Sequence, residues 1–267
     1  MRVLVTGYKG FIGQNLVQYI YDNTDWGVDL YEWGDSNMPS VMEQDWVIHI
    51  GAISSTTERD LDKVMRQNVD FTRQLFNACK TYGVNFQYSS SASVYGLGTD
   101  FTETAQLDPR TPYAWSKYLC EYYHKQHQGG NVVQGFRYFN VYGNHEEHKG
   151  SQSSPVSQFS QQDPIRLFEN SDKYLRDFIA VEDVCRVHVD FIKNIKQSGI
   201  WNLGTGQATS FQEVANLINV NQEYIPMPDI LKSSYQTYTC SNNDKLEYTL
   251  GPQQWIGIKE WLDKYKL

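Results

Sequence analysis

A chain of 267 residues is long enough for one large or two small domains and for a sizeable core. Asp and Glu number 31 against 23 Lys and Arg, a net charge of −8, so nothing offsets phosphate repulsion and a nucleic-acid partner is not expected. No apolar run is long enough to span a bilayer, which argues against a membrane partner.

The first element is an apolar, β-branched strand, Arg2-Val-Leu-Val-Thr6. It runs into Gly7-Tyr-Lys-Gly10-Phe-Ile-Gly13 and then into Gln14 to Ile20, which has helical spacing. Strand, glycine turn and helix form the context of a dinucleotide fingerprint. Gly7 permits the tight turn, Gly10 lets the backbone approach a pyrophosphate, and Gly13 lets helix and strand pack closely. The helix N-terminus, from Phe11 and Ile12, then faces the phosphates with its positive end. A chain that enters a strand at once shows no signal peptide, and the cytoplasm is the expected compartment. The scattered single cysteines (Cys79, Cys120, Cys185 and Cys240) fit reduced, buried thiols there.

A second strand, Val28-Asp-Leu-Tyr31, ends at Glu32, where an acid hydrogen-bonds the ribose 2′-hydroxyl of NAD and repels a 2′-phosphate. No Lys or Arg lies between Trp33 and Glu43, so NAD is favoured over NADP. Only twelve positions, Trp33 to Gln44, precede the next strand at Asp45, and Pro39 interrupts them. A helix with a third strand does not fit that space, so the third strand should be missing or vestigial and the adenine pocket open. Asp45 to Ile50 reads as a buried strand running into Gly51 and Ala52. Leu61 to Tyr82 is helical and stops at Gly83. Asn85 to Ser91 is a strand that delivers Ser91 at its carboxyl end. A helix follows Pro112 to about His127, and Val132 to Phe139 is a further strand leading to Asn140. Alternation of this kind predicts an α/β fold, a doubly wound parallel sheet whose ligands bind beyond the strands' carboxyl ends. Gly7, Gly51, Ser91 and Asn140 all fall at such ends. Residues 211–218 and 255–262 are expected to be helices of a smaller C-terminal domain.

Tyr113 and Lys117, four apart on a helix, share a face. A lysine ammonium beside a phenol favours phenolate and lowers a pKa near 10. Such a phenol can take a proton from an alcohol while its carbon gives up hydride, with Ser91 holding the reacting oxygen. Tyr-x-x-x-Lys alone arises often by chance in a tyrosine-rich chain; the glycine turn at residue 7 gives it weight.

Six segments together resemble the extended short-chain dehydrogenase/reductase family, in particular its nucleotide-sugar epimerases. They are Thr6-Gly-x-x-Gly-Phe-Ile-Gly13, Ser89-Ser-Ser-Ala-Ser-Val-Tyr-Gly96, Tyr113-x-x-x-Lys117, Phe136-Arg-Tyr-Phe-Asn-Val-Tyr-Gly143, Arg176-Asp-Phe-Ile-Ala-Val-Glu-Asp-Val184 and Asn202-Leu-Gly-Thr-Gly206. Gly51 to Glu58, His148-Lys149-Gly150-Ser151 and Pro228 to Gln236 are similar to the ADP-glycero-manno-heptose 6-epimerases.

The resemblance implies a closed redox cycle on a nucleotide-sugar substrate: oxidation of a sugar hydroxyl by bound NAD or NADP, turnover of the ketone, and return of hydride to its other face. Tyr113 would be one acid/base and Lys149 the second; from the residues alone, Lys149 reads as a solvated lysine. Gly51, Ala52 and Asn68 would join the cofactor site, with Asn68 organising water. Asn140, Ser151, Phe168, Arg176 and Tyr235 would touch substrate, Arg176 at the diphosphate. Asn140 as a turn cap, and Arg176 as the ion-pair partner of Asp177 or Glu182, remain open. The segment Phe168-Glu-Asn-Ser171 departs from the family's glycine at its third position.

Residues 1–140 with 172–201 would form the dinucleotide domain, and 141–171 with 202–267 the substrate domain, in a homo-oligomer. A UDP-hexose 4-epimerase, another nucleotide-sugar oxidoreductase and a catalytically silent nucleotide-binding protein are the alternatives. A 4,6-dehydratase would need an Asp-Glu pair where Ala92 and Ser93 stand. A metal site at His145 and His148 lacks ligand spacing.

Overall fold

The computed structural model describes residues 1–35, 38–55, 58–127, 129–229 and 235–265. β1 (Arg2–Thr6) passes through the glycine turn into α1 (Phe11–Asn23), which returns to β2 (Gly27–Tyr31). After β3 (Trp46–His49) comes one long helical stretch: α2 (Leu61–Val64), a π-helical segment (Met65–Asp70) and α3 (Phe71–Tyr82). Gly83 stops it with a left-handed φ of 70°. β4 (Asn85–Ser91), α4 (Pro112–Gln126) and β5 (Val133–Tyr138) follow. The chain then forms β6 (Asn140–Tyr142), α5 (Pro155–Ser160), β7 (Ile165–Phe168), β8 (Leu175–Ala180), α6 (Val181–Asn194) and β9 (Gly199–Leu203).

Six strands form one parallel sheet in the order β2-β1-β3-β4-β5-β9. Every residue of β3 and β5 is buried, as expected of strands covered on both faces. On one face α3 and α4 pack Leu75, Phe76 and Cys79 against Phe86, Tyr88 and Val133. On the other, α1 and α6 bring Leu16, Ile20, Val181 and Cys185 onto Val3, Val5 and Ile48. Among the described residues no strand lies between Tyr31 and Trp46, so β2 is the sheet edge and the third strand is absent. The short segment is held down instead: Val41 is buried beside Tyr31 and Phe71, and Arg2 reaches Asp29 at 2.9 Å and Glu43 at 3.1 Å.

A smaller set of strands sits beyond β5. β8 pairs with β6, with β10 (Ala208–Ser210) and with β12 (Tyr238–Thr239), while β7 pairs with β11 (Gln222–Ile225). Helices α7 (Phe211–Ile218) and α9 (Ile258–Tyr265) close their core through Val214, Trp261 and Leu262; α8 (Asp244–Leu250) lies between them in sequence. Helix α7 falls on its expected residues because Ser210 and Glu213 form a capping box. Helix α9 starts three residues after the expected 255, because the Ile256 N–H is held by Asp183 at 2.7 Å before the helix can begin. The stretch 172–201, read from sequence as part of the larger unit, serves both sheets: β8 lies in the smaller one, β9 in the larger one. No helix among the described residues is long and apolar enough to cross a membrane.

Three histidines are buried in this frame, each among hydrogen-bonding neighbours. His49 lies between the Thr6 and Thr72 hydroxyls, His124 beside the Tyr88 phenol at 3.0 Å, and His188 between Tyr138 and Gln87. Burial pushes His49 and His188 down to about 3 and His124 to about 4. A group neutral in the fold but titrating near 6.5 when unfolded draws protons to the unfolded chain, so stability falls as pH drops through 6.5. Burial raises the pKa values of Glu146, Asp177 and Asp183, an effect of opposite sign that begins from the ordinary carboxylate range. Urea denaturation should therefore show a loss of about 4 kcal/mol between roughly pH 7 and 5.5. Equal stabilities at the two pH values would contradict three neutral buried imidazoles.

Candidate active site

The carboxyl end of the six-stranded sheet carries two adjoining crevices. Gly7 makes the turn after β1 with φ 78°, and its N–H donates to the Tyr31 carbonyl at 2.8 Å. A Cβ on Gly7 would lie 2.2 Å from the Gly51 Cα, and one on Gly13 would lie 2.1 Å from the Gly7 carbonyl oxygen. Those two glycines are therefore demanded by the fold itself. Gly10 differs: a Cβ there would meet only the Gly7 oxygen at 3.4 Å, an ordinary contact. The missing side chain at Gly10 leaves room for something other than protein. Gly10 also caps α1 without a side-chain bond, so the helix turns its N-terminal amides and positive dipole end toward the crevice. Phe11, Ile12, Gly51, Ala52, Ser54, His148 and Lys149 complete this cavity of about 220 Å³. These groups fit a dinucleotide's pyrophosphate.

Glu32 stands at the junction of the two crevices. Its carboxylate accepts from the Lys9 N–H at 2.9 Å and from its neighbour Trp33 at 3.2 Å. Beyond it, a cavity of about 120 Å³ is walled by Tyr31, Trp33, Gln67 and Phe71. Trp33 meets Phe71 edge-on at 5.1 Å, and Tyr31 stacks on Phe71 at 5.5 Å. This cavity has aromatic walls on the side where a third strand is missing.

Ser91, Tyr113 and Lys117 come together where β4 ends and α4 begins. Thr111 caps α4 by accepting from Ala114 N–H at 3.1 Å, and Pro112 takes the first helical position, so Tyr113 lies in the first turn. The Ser91 hydroxyl faces the Tyr113 phenol closely enough to favour its phenolate form. Lys117 Nζ lies 5.8 Å from the Tyr113 ring centroid and donates to the Ser89 carbonyl at 2.8 Å and the Ser89 hydroxyl at 3.0 Å. This corrects the expected electrostatics. Burial pushes the Tyr113 phenol up, and Ser91, not Lys117, pulls it back. The ammonium is itself brought down to about 8 by burial. Ser89 went unnoticed in the sequence, although strand alternation puts it on the same face as Ser91.

Asn68, expected to organise water, spends its amide on protein partners. Its side chain accepts from Ile53 N–H at 2.8 Å and donates to the Ile53 carbonyl at 3.0 Å and to Ser116 Oγ at 2.9 Å. Its amide ties the loop after β3 to α4.

Phe168, Arg176 and Tyr235 converge elsewhere, in the smaller unit. With Phe159, Tyr174 and Phe211 nearby, Phe168 and Tyr235 wall a pocket of about 250 Å³. The Arg176 guanidinium lies 5.2 Å from the Tyr235 ring and 5.5 Å from that of Phe211, and it donates to the Leu175 and Gln236 carbonyls at 2.8 and 2.7 Å. It makes no ion pair among the described residues. Asp177 is taken by Thr205, Gly206 and Ser241, and Glu182 by Trp261 and Tyr265, so neither is its partner. A buried cation without a carboxylate suits an anionic ligand. Asn140 opens β6 opposite Phe178.

Lys149 joins the glycine crevice rather than this pocket. Its Nζ lies 5.0 Å from the Phe11 ring centroid and 3.9 Å from Glu146, a buried carboxylate that sequence reading missed. The Ser151 backbone follows Lys149 across a kink at Gly150, whose φ is 51°, and the Ser151 side chain lies outside the described residues. No metal-holding group of three side chains exists among the described residues, at His145 and His148 or elsewhere.

A buried ion pair holds α4 in place. Arg137 of β5 meets Glu121, one turn beyond Lys117, at 2.9 and 2.6 Å; Ser90 donates to the same carboxylate at 2.5 Å, and Arg137 donates to Tyr95 at 2.8 Å. Removing one member strands a buried charge, so Glu121→Ala should cost about 3–5 kcal/mol in urea denaturation. Exchanging the pair together for apolar residues should cost much less than the two single losses combined. Additive single losses would show that the two residues do not act as a pair.

The family model described as the NAD dependent epimerase/dehydratase family matches residues 3–204. Among solved structures, the Helicobacter pylori ADP-L-glycero-D-manno-heptose-6-epimerase superposes with a TM-score of 0.89 at 24% identity, covering 99% of this chain and 95% of that one. The Thermotoga maritima UDP-glucose 4-epimerase, solved with UDP-glucose, gives 0.85 at 22%, covering 100% and 99%. RMD from Pseudomonas aeruginosa, complexed with NADPH, gives 0.78 at 24%, covering 98% and 97%. At these identities the likeness establishes the fold.

Proposed function

The chain belongs to the NAD dependent epimerase/dehydratase family, and from that premise we propose that it is a nucleotide-sugar epimerase acting on a hydroxyl-bearing sugar carbon. The observation that carries the reading is the Ser91–Tyr113–Lys117 cluster at the sheet edge that also carries the glycine crevice. The bound dinucleotide supplies reversible hydride acceptance. Tyr113 takes the substrate hydroxyl proton at its phenol oxygen and later returns one, with Ser91 fixing the reacting oxygen. Lys117, anchored on Ser89, keeps a positive charge beside the phenol ring. NAD is the proposed cofactor, because the Glu32 carboxylate at the junction of the crevices would repel a 2′-phosphate. Arg176 would hold the sugar nucleotide's diphosphate, and the aromatic pocket its base.

The finer assignment is to carbon 6 of an ADP-glycero-manno-heptose, with Lys149 as the acid/base for the second face. The His148-Lys149-Gly150-Ser151 segment supports it, and so does the burial that lowers the Lys149 pKa toward the neutral amine. A second reading follows from where Lys149 sits. A lysine on the glycine crevice can serve the cofactor's phosphates, leaving Tyr113 to handle both faces of a ketone that turns over, as a UDP-hexose 4-epimerase would. A closed homo-oligomer is proposed on the family resemblance alone.

Tyr113→Phe should lower turnover about a thousandfold while NAD binding persists. Lys149→Ala should cost roughly a hundredfold on an ADP-heptose under the two-base scheme; unchanged epimerisation would discard that scheme in favour of the 4-epimerase reading. Mass spectrometry of nucleotide released on denaturation should find NAD; recovery of NADP would overturn the Glu32 argument.

A further inference from the structure

β1 and β3 part company at a rung that is more than backbone. Thr6 and His49 are register partners at the carboxyl ends of the two strands, and the N–H groups of Ile50 and Gly51 both donate to the Thr6 carbonyl. Directly beyond lie Gly7 and Gly51, whose backbones touch. Across the rung, Thr6 Oγ1 and His49 Nδ1 are 2.6 Å apart, and His49 Nε2 and Thr72 Oγ1 are 2.8 Å apart.

The protons in this chain are fixed by elimination. Thr72 commits its hydroxyl proton to the Asn68 carbonyl at 2.5 Å, so toward His49 it can only accept. Nε2 therefore carries the imidazole proton, and Nδ1 accepts from Thr6. The line continues through the Asn68 side chain to Ser116 Oγ at 2.9 Å, and Ser116 donates in turn to the backbone carbonyl of Tyr113 at 2.7 Å. Thr72 and Ser116 each have one donor and one acceptor role filled, and Thr6 spends its proton on His49. A line so arranged is a strut between two places.

We propose that His49 is a positioning residue, held by Thr6 and Thr72, that fixes the glycine turn of the cofactor crevice relative to the first turn of α4, where Tyr113 stands. Its consequence for turnover rests on the epimerase reading above; its consequence for NAD binding does not. A core histidine that merely satisfies its polar neighbours would also be buried. It would have no reason to join the last rung before the crevice to the segment that bonds the Tyr113 turn.

The test uses Thr72→Val, which removes the hydroxyl with little change of shape, and Thr72→Ser, which restores it. Thr72→Val should weaken NAD⁺ binding about fivefold by calorimetry, the effect of one lost buried hydrogen bond. At saturating NAD⁺ and nucleotide sugar its kcat should fall roughly tenfold, since small misplacements tell most on the chemical step, with the sugar KM within about twofold of the original. Thr72→Ser should recover both values, and Thr6→Val should repeat the loss. Wild-type NAD⁺ affinity in Thr72→Val, equal impairment of the valine and serine variants, or a lowered melting temperature as the sole change would each overturn the proposal. If the unaltered protein turns over no nucleotide sugar, the epimerase reading fails by itself and the NAD⁺ affinities still decide this one.

Discussion

At the carboxyl ends of β1 and β3 two backbones pass each other with no side chain between them. Gly7 and Gly51 approach so closely that a methyl group on Gly7 would overlap the other's Cα. Gly13 is pressed just as hard onto the Gly7 carbonyl. Because the strands are parallel neighbours, this contact decides how far the loops after them can open and where α1 begins. The crevice, the placing of the α1 N-terminus and the position of Glu32 all follow from it. The three glycines of the turn act differently. Gly7 supplies a positive φ, Gly13 supplies helix-to-strand contact, and Gly10 alone keeps space empty.

The second half of the site depends on burying charge safely. Lys117, Glu121 and Arg137 are all hidden from solvent, two on α4 and one on β5. Isolated, each would be costly to desolvate. Glu121 and Arg137 neutralise one another with two short bonds, and Ser90 and Tyr95 take up the remaining valences. Lys117 has no such carboxylate among the described residues; it leans on Ser89 and gives up part of its basicity. That contrast separates a charge that serves the architecture from one that is available to a ligand. Arg176 belongs with the second kind, since its nearest companions are two rings and two carbonyls.

Much of this was legible from the chain because it is local. The strand before Gly7, the spacing of Tyr113 and Lys117, and the twelve residues too few for a third strand are statements about neighbours in sequence. So is the helix expected over residues 211–218. What escaped was set by crossings between distant segments. Glu121 and Arg137 lie sixteen residues apart on different elements, and nothing in either neighbourhood announces the other. The Asn68 amide faced Ile53 and Ser116, which only the packing of three elements brings together. The direction of the Tyr113 shift was misjudged because spacing fixes which groups are near, whereas burial sets the dielectric in which they act. β8 went to the smaller sheet because strand patterns alone do not say which edge a strand will join.

The π-helical segment ahead of α3 has a consequence of its own. Phe71 N–H bonds Arg66, five residues back, so this stretch holds one residue more than an α-helix of the same height. The two sides of the segment are therefore out of phase by about 100°, the angle of one helical residue. That offset lets Asn68 face the loop after β3 while Leu75, Phe76 and Cys79 still point into the sheet. Shorten the stretch by one residue and the offset vanishes: either the amide swings away from its loop or the apolar stripe rolls off the core. The chain here has a length that is counted, and a deletion would be felt as a rotation.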